Sequence, residues 1–412
     1  MKFRSLSQKI WVLACFFAFS IGASGQRSGS AAPRQEKLLN GLQVFMRSDP
    51  TATDVKISIR VHSGAAFDPQ GKEGVMQLLA DNIFPTPESM SFYSEDLGGG
   101  VEVITTYDFI QVNASAKPSE FVRLVETLAQ DISTPTIDKE TTASLKKALL
   151  EKLTMLEKDP VYISNQAAAR RLFGTFPYGR PQMGSVESIQ RIDFADLQFA
   201  RDRFLTADNA TVAITGNFQS DLGFRAVRRY FGAWLKSDKR VPSTFRQPDD
   251  PDASAIVLMI DGVPHTSVFG LRGLSKSDPD YFVSLLLEKI LNSRLQKGEP
   301  KAEAVFSAHT LPGMIRLRAA TLSPTIFAKI TNEEFSIART KLDEIAKTCE
   351  QGSNCFARTE MDAWLDTATY GKPTADAKTL QNVTLADVQR VADRLSKNPM
   401  ATVVINPPPS KP

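Results

Sequence analysis

Three histidines, His62, His265 and His309, are the residues best suited to bind a transition metal or to move a proton near neutral pH. A metal site on a helix needs ligands one turn apart. None of the three lies on a predicted helix with an acidic partner four residues away. They are either replacement metal ligands or ordinary surface and packing residues, and the spacing favours the second interpretation.

Two cysteines, Cys349 and Cys355, remain once the amino-terminal segment described below is removed. The polar, turn-like stretch between them could bring the two sulfur atoms together. In an oxidising compartment such a pair forms a disulfide, which is our expectation here. The alternatives are two free thiols or half of a metal site, for which the chain has few other ligands.

The first 25 residues have the pattern of a secretory signal peptide. Lys2, Arg4 and Lys9 form a basic start, an apolar run extends from Ile10 to Ala23, and small residues follow. A membrane anchor is the alternative, but this run is shorter than the roughly 20 residues that a spanning helix needs. We therefore expect cleavage after residue 25 and a periplasmic or secreted protein.

The charge balance excludes two classes of partner. Removing three basic residues with the signal leaves 46 of the 49 Lys and Arg, equal in number to the 46 Asp and Glu. Nucleic acids and anionic membranes call for a concentrated basic face, and a near-neutral chain gives no case for one. We expect no nucleic-acid partner and no membrane association after cleavage.

The periodicity of the first half predicts the elements that hold its polar residues. Val55 to Val61 alternates as a half-buried strand, and Val75 to Ile83 is apolar on most of a helix, with Gln77 and Asp81 on one face. A second strand-like segment runs from Val101 to Ala114. A long amphipathic helix then ends near Asp159 and Pro160.

The second half repeats this order, which indicates a duplicated unit. Residues 188–197 precede a strand at 210–215, and residues 380–388 precede a strand at 401–405. The prediction is an α/β fold, an α+β sandwich of two related domains, each a mostly antiparallel sheet with helices packed on one face. We expect the domains at 36–236 and 253–408, joined by a polar linker at 237–252.

The order and spacing of several short motifs resemble the insulinase and pitrilysin-type metallopeptidases. The segments that carry the resemblance are residues 39–42, 61–69, 74–76, 98–105, 176–184 and 208–217. In that family an inverted zinc motif, His-x-x-Glu-His, lies on the helix after the first strand, and a later helix adds a Glu. The resemblance places the motif on Gln77, Ala80 and Asp81, and the distal ligand on Glu151.

These substitutions remove the chemistry that the family implies. A neutral amide at Gln77 is a poor replacement for imidazole, and Asp81 with Glu151 offers at best a weak oxygen site for a hard cation. Ala80 has no carboxylate with which to accept a proton from a metal-bound water. We therefore expect no catalytic residue and no bound zinc, and we interpret Asp81 as a structural carboxylate.

In the second half, Leu291 to Leu295 resembles the Ser-Arg-Leu helix end of the family, after which paired members place an Arg and a Tyr that grip substrate. Here Glu299 and Phe306 stand at those positions, so the pair is not carried over. Because family members close as two halves around a peptide, the resemblance implies a partner, a catalytic zinc-peptidase subunit of the same family.

Two other hypotheses remain open. The chain could be a self-contained periplasmic peptide-binding or scaffold protein that adds an extended peptide to a sheet edge at Glu102, Val103 and Thr105. It could also be a working metallopeptidase with unusual ligands, which the joint loss of ligands and base disfavours.

Overall fold

The computed structural model describes residues 33–237, 248–261, 263–351, 360–371 and 381–408. The expected signal peptide, most of the expected linker and Cys355 lie outside these residues, and of Cys349 only the helical backbone is described. The cleavage site and the disulfide therefore stay predictions. Residues Pro33–Pro412 form one unit.

Six strands form the first sheet. They are β1 (Arg34–Lys37), β2 (Gln43–Ser48), β3 (Val55–Val61), β4 (Gly100–Thr105), β5 (Ile110–Ala116) and β6 (Ala210–Gly216). Their order is β1-β2-β6-β3-β5-β4, and every neighbouring pair is antiparallel except β2 with β6. The predicted strand at 55–61 is confirmed, and its alternate residues Val55, Ile57 and Ile59 are buried in the main core.

Among the described residues, eight helices accompany this sheet. They are α1 (Val75–Asp81), α2 (Pro87–Glu95), α3 (Phe121–Ser133), α4 (Lys139–Leu156), α5 (Pro160–Phe173), α6 (Val186–Gln190), α7 (Phe194–Phe204) and α8 (Ser220–Phe231). The end of α4 was correctly predicted: Asp159 accepts a hydrogen bond from the Val161 amide and Pro160 takes the first position of α5, so a new helix begins there.

The segment from Val101 to Ala114 is a hairpin rather than the single strand-like run that we expected. The hydroxyl of Thr106 accepts hydrogen bonds from the amides of Asp108 and Phe109, both at 3.1 Å, and this turn separates β4 from β5. The alternation of apolar residues continues through the turn, which hid the reversal of the chain.

The second half contains a sheet of five strands, with order β7-β11-β8-β10-β9. Its elements are β7 (Ile256–Met259), β8 (Thr266–Arg272), α9 (Tyr281–Gln296), β9 (Glu303–Phe306), β10 (Met314–Ala319), α10 (Asn332–Gln351), α11 (Glu360–Tyr370), α12 (Leu385–Leu395) and β11 (Met400–Asn406). As in the first sheet, one pair is parallel, β7 with β11. None of the described helices is long and apolar enough to cross a membrane.

The duplication predicted from the sequence is visible in the topology. The second sheet repeats the order β2-β6-β3-β5-β4 strand for strand, and β6 and β11 occupy equivalent places. The helices before those two strands begin alike, since Asp193 with Asp196 forms a capping box on α7 and Thr384 with Asp387 forms one on α12. The predicted fold class, with two mostly antiparallel sheets and helices, is confirmed.

Each half also packs one helix against the sheet of the other half. Ala168 of α5 packs with Val268 and Val403 of the second sheet. In return, α11 packs Met361, Trp364 and Leu365 against Ala213 of β6. Part of the second face of each sheet is therefore covered by a helix from the other half.

Candidate functional site

The helix that carries the motif positions, α1, is fixed at its start by a buried carboxylate. Asp68 accepts hydrogen bonds from the amides of Gly74 (2.7 Å) and Met76 (2.8 Å). Burial nevertheless raises the pKa of Asp68 to about 7. Gly74 has φ +102°, and a Cβ there would come within 2.3 Å of Ile189, so the tight entry to α1 requires glycine.

The structure brings Gln77 and Asp81 together as the helical spacing predicts. The Gln77 amide nitrogen donates a hydrogen bond of 2.8 Å to the Asp81 carboxylate, one turn along α1. Ala80 lies between them in sequence and is fully buried. Burial raises the pKa of Asp81, whereas the hydrogen bond from Gln77 and the positive charge of Lys152 lower it.

Glu151, which we matched to the distal ligand position, is exposed on α4 and lines a groove on the outer side of that helix. Among the described residues, no hydrogen bond or ion pair joins Glu151 to Gln77 or Asp81. The charge of α4 that acts on Asp81 is instead the ammonium of Lys152. Successive residues of a helix point about 100° apart, so adjacent positions differ completely in what they face.

The donor set around α1 does not fit a zinc ion. Gln77 turns its amide hydrogens toward Asp81, Ala80 presents a methyl group, and the nearby cation Lys152 competes for the same carboxylate. Within the described residues, no group of three or more His, Cys, Asp and Glu side chains could hold a metal ion. No catalytic step through zinc is derived from these residues.

The strand predicted to bind peptide is β4, which lies at one edge of the first sheet, opposite the edge formed by β1. The Glu102 carboxylate accepts a hydrogen bond of 2.8 Å from Asn113 on β5, and Val103 packs partly into the main core. The Thr105 carbonyl accepts a hydrogen bond of 2.6 Å from the Gln182 side chain. An incoming peptide would therefore compete with Gln182 at this end of the strand.

A buried polar cluster that the sequence analysis missed connects the two halves. We call it the inter-half network; it comprises Arg60, His62, Asp108, Tyr178, Lys276, His309, Asp362, Asp366, Thr369 and Tyr370. The Arg60 guanidinium, which is 3% exposed, lies 2.6 Å from Asp366 and 3.7 Å from Asp362 on α11. It also stacks over the Phe109 ring at 4.1 Å. A charged residue within an otherwise buried strand was the available sequence signal.

Asp108 forms the second centre of the inter-half network. Its carboxylate accepts hydrogen bonds from the Tyr370 hydroxyl (3.0 Å), the Tyr178 hydroxyl (3.3 Å) and the Thr310 amide (2.9 Å). The Lys276 ammonium lies over the Tyr370 ring at 4.8 Å, and burial lowers its pKa. Residues from both halves thus neutralise one another away from water.

The histidines are packing and surface residues, as the spacing indicated. His62 lies between the hydroxyls of Thr211 (2.9 Å) and Thr369 (3.2 Å), and His309 is 3.8 Å from the Asp108 carboxylate. Burial lowers the pKa of both imidazoles to about 4, so both are neutral at pH 7. His265 is exposed.

The Ser-Arg-Leu segment has a structural role. Arg294 of α9 donates to both carboxylate oxygens of Glu334, at 2.8 and 2.9 Å, and lowers the pKa of that group to about 2. Its remaining donors reach the carbonyls of Ile326, Ala328 and Lys329. Glu299 accepts a hydrogen bond from the Ala320 amide and Phe306 packs against the second core, so neither position is arranged as a substrate grip.

Comparison with protein families identifies the group to which this fold and these motifs belong. Residues 43–185 match the family described as Insulinase (Peptidase family M16), and residues 191–339 match the family described as Peptidase M16 inactive domain. The chain belongs to the insulinase (M16) peptidase family. The M16 resemblance drawn from the sequence motifs is confirmed.

Curated relatives of this M16 chain are distant. An uncharacterized zinc protease of Mycobacterium tuberculosis is 24% identical over 218 residues, 52% of this chain and 50% of the relative. The match thus spans about half the length of the first curated relatives. An uncharacterized zinc protease of Mycobacterium leprae is 24% identical over 95% of this chain and 96% of its own length. The mitochondrial-processing peptidase subunit beta of Saccharomyces cerevisiae is 20% identical over 63% of this chain and 58% of its own.

Solved structures share the M16 fold over nearly the whole chain. A peptidase M16 inactive domain from Pseudomonas fluorescens aligns with a TM-score of 0.79 and 17% identity, covering 93% of this chain and 99% of that one. The periplasmic protease PqqL from Escherichia coli aligns with a TM-score of 0.67 and 15% identity, covering 90% of this chain and 47% of that one. At these identities the likeness shows the fold alone.

Proposed function

We propose that this M16 chain is exported and acts as the non-catalytic subunit of a two-subunit zinc peptidase, with a catalytic member of the same family as its partner. The observation that carries the proposal is the arrangement on α1. Gln77 and Asp81 bind each other and a buried alanine methyl stands where the M16 motif has its general base. A chain built in this way contributes its fold and its surfaces rather than a metal centre.

Relatives support the part of the proposal that concerns a partner protein. One of them, the yeast mitochondrial-processing peptidase subunit beta, is by name a subunit of a larger assembly. Export is supported by the signal pattern of residues 1–25 and by the likeness to a periplasmic protease. Amino-terminal sequencing of the protein from its native host should find a mature chain that begins near Gln26.

Metal analysis tests the loss of the zinc site. The purified chain should hold far less than one zinc per molecule after dialysis and should show no chelator-sensitive peptide hydrolysis. A variant with Gln77→His, Ala80→Glu, Asp81→His and Lys152→Glu provides the matched comparison, because it restores the ligand types and removes the competing cation. One tightly held zinc with chelator-sensitive hydrolysis in the unmodified chain would overturn the proposal.

Copurification tests the partner. A tagged chain expressed in its native host should retain a second M16 protein with an intact His-x-x-Glu-His motif, and the pair should hydrolyse peptides when neither subunit alone does. A chain that stays alone in this experiment and strictly monomeric at micromolar concentration contradicts the subunit assignment.

A second candidate function is peptide binding by the isolated chain, which the position of β4 at an edge of the first sheet favours. Calorimetry with extended peptides should then detect binding without a partner. Gln182→Ala frees the Thr105 carbonyl and should strengthen that binding several-fold, because the peptide no longer competes with the Gln182 amide. If neither the unmodified chain nor the Gln182→Ala variant gives measurable heat with extended peptides, this candidate function is wrong.

A further inference from the structure

A concave surface among the described residues lies on the outer side of α4, apart from the motif residues of α1. This groove has a volume of about 1010 Å³. Its lining residues are Lys139, Thr142, Ala143, Lys146, Lys147, Leu150, Glu151, Thr154, Met155, Ile192, Asp193 and Phe194. We call this surface the α4 groove. The residues of the M16 motif on α1 do not line it.

Several apolar side chains line the α4 groove. Leu150 and Met155 come from α4, and Ile192 and Phe194 come from the opposite side. Ile192 is 1% exposed, whereas Met155, in the last turn of α4, is 68% exposed. A contiguous apolar concavity of this kind favours a bound partner over open solvent.

The charges along the α4 groove divide into engaged and free groups. The Lys146 ammonium donates to the carbonyls of Gln190 and Ile192, and the Lys139 ammonium lies over the Phe194 ring at 5.4 Å. Asp193 caps the start of α7. These three side chains therefore already have partners within the chain.

Lys147 is the cation left for a ligand. Its side chain has no hydrogen-bond or ion-pair partner among the described residues. Glu151 follows one turn later, yet no ion pair joins the two, and the order Lys before Glu is the weaker one on a helix. With three ammonium groups against two carboxylates on its lining, the α4 groove has an excess of positive charge.

Size decides what kind of occupant fits. The groove follows α4 from Lys139 to Met155, which at 1.5 Å per residue is about 24 Å. A straight stripe of this length along one helix matches the side of a second helix packed against α4.

We propose that the α4 groove binds an acidic amphipathic helix of a partner protein, with its apolar stripe on Leu150, Met155 and Phe194 and a carboxylate on Lys147. This helix-in-groove mode uses apolar anchors at i, i+3, i+4 and i+7 for affinity and the charged flank for orientation. The site is independent of the α1 motif, so it does not rest on the proposed subunit function.

The test uses the purified chain and a fluorescent synthetic helix of about 18 residues, the length of α4. The helix has leucines on one face and glutamates on the other, and a second peptide has lysines in place of the glutamates. Anisotropy should show saturable binding of the glutamate peptide at micromolar concentration, at least tenfold weaker binding of the lysine peptide, and weaker binding as salt is added.

Two surface variants locate the site, and both leave the fold intact because the replaced side chains are exposed. Met155→Glu should weaken binding of the glutamate peptide at least tenfold, and Lys147→Glu should weaken it at least fivefold. The matched controls are Met90→Glu on α2 and Lys297→Glu after α9, which should change the affinity less than twofold. Equal binding of both peptides, or indifference to Met155→Glu, overturns the proposal.

Other occupants are outcomes of the same experiments. If a fluorescent fatty acid binds, loses affinity in Met155→Glu, and the glutamate peptide does not bind, the α4 groove is a site for small amphipathic anions and the helix proposal is wrong. If light scattering finds a dimer that Met155→Glu dissociates, the occupant is a second copy of this chain, which equally contradicts it.

Discussion

At the scale of single residues, Arg60 is the buried cation that pairs with carboxylates of the other half. Its guanidinium is buried between Asp366 and Asp362, and its Nε donates to Gln111 at 2.7 Å. Arg60→Ala removes the guanidinium from both carboxylates. We expect the free energy of unfolding to fall by roughly 3 to 5 kcal/mol, the usual cost of breaking a buried pair. Urea unfolding followed by circular dichroism measures it.

The control for Arg60 is an exposed arginine in a comparable ion pair. Arg191 pairs with Glu187 one turn away on the protein surface, where the two side chains are 57% and 75% exposed. Arg191→Ala should cost at most about 0.5 kcal/mol. If both alanine variants lose a similar small amount, the inter-half network does not stabilise the folded chain as described.

The buried histidines give the protein a pH dependence whose sign follows from burial. Burial lowers the pKa of His62 and His309 to about 4 in the folded chain, against an ordinary value near 6.5 when unfolded. Below pH 6.5 the unfolded chain therefore binds more protons, and stability is lost as the pH falls from 6.5 toward 4. Each histidine should remove roughly 1 to 2 kcal/mol between pH 8 and pH 5.

The three histidines of the chain make this prediction easy to control. The fall in the urea midpoint from pH 8 to pH 5 should be smaller in His62→Gln and in His309→Gln than in the unmodified protein. His265→Gln should change nothing, because that imidazole is exposed. Titration of the His62 and His309 resonances by NMR should place both imidazoles well below the ordinary value near 6.5, and ordinary titration of both would refute the argument.

The residue scale also sets the limit of what the sequence could predict about the site. The helical spacing correctly placed Gln77 and Asp81 on one face of α1, because a four-residue separation determines contact on a helix. The family motif pointed to Glu151, whereas the charge acting on Asp81 comes from Lys152, the next residue. Which of two adjacent residues faces a neighbouring helix depends on how the helices pack, and periodicity alone does not contain that information.

At the scale of elements, the sequence predicted strands and helices where burial imposes a period. β3, β6 and α4 follow their apolar patterns because one face of each meets the core. The hairpin of β4 and β5 was missed because its turn is made by a threonine hydroxyl and contains no glycine or proline. The sequence also could not predict which sheet α5 and α11 pack against. An apolar stripe on a helix indicates that the helix is buried, but it does not identify the surface that buries it.

The exchange of α5 and α11 leads to a prediction about packing. Ala168 of α5 is fully buried against Val268 and Val403 of the second sheet, and close-packed interiors have few voids that could hold added methylene groups. Ala168→Leu should destabilise the protein by about 1 to 3 kcal/mol through overpacking. Chemical unfolding checks the value. Ala148→Leu, an equal change at an exposed position of α4, should be nearly neutral. Equal effects would show that α5 does not depend on this contact.

At the scale of the whole molecule, two copies of one topology, each with its own hydrophobic core, pack against each other. The strand orders of the two sheets match, each half covers the other's sheet with one helix, and the inter-half network places charges from both halves in contact. Neither half can withdraw without exposing apolar surface and leaving buried charges unpaired. The boundaries we expected for two domains stay a prediction, but the energetics favour one cooperative unit.

This cooperativity can be measured with the tryptophans of the two halves. Trp234 is buried in the first core, and Trp364 of α11 stacks on Phe45 with ring centroids 6.2 Å apart. In a chain beginning at Gln26, Trp364→Phe leaves Trp234 as the reporter, and Trp234→Phe leaves Trp364. Each variant should give the same urea midpoint by fluorescence as by circular dichroism, because loss of either half exposes the other. Two separate transitions, with the second sheet persisting after the Trp234 signal is lost, would show instead that the halves fold as independent domains and that the exchanged helices contribute little to the stability of either one.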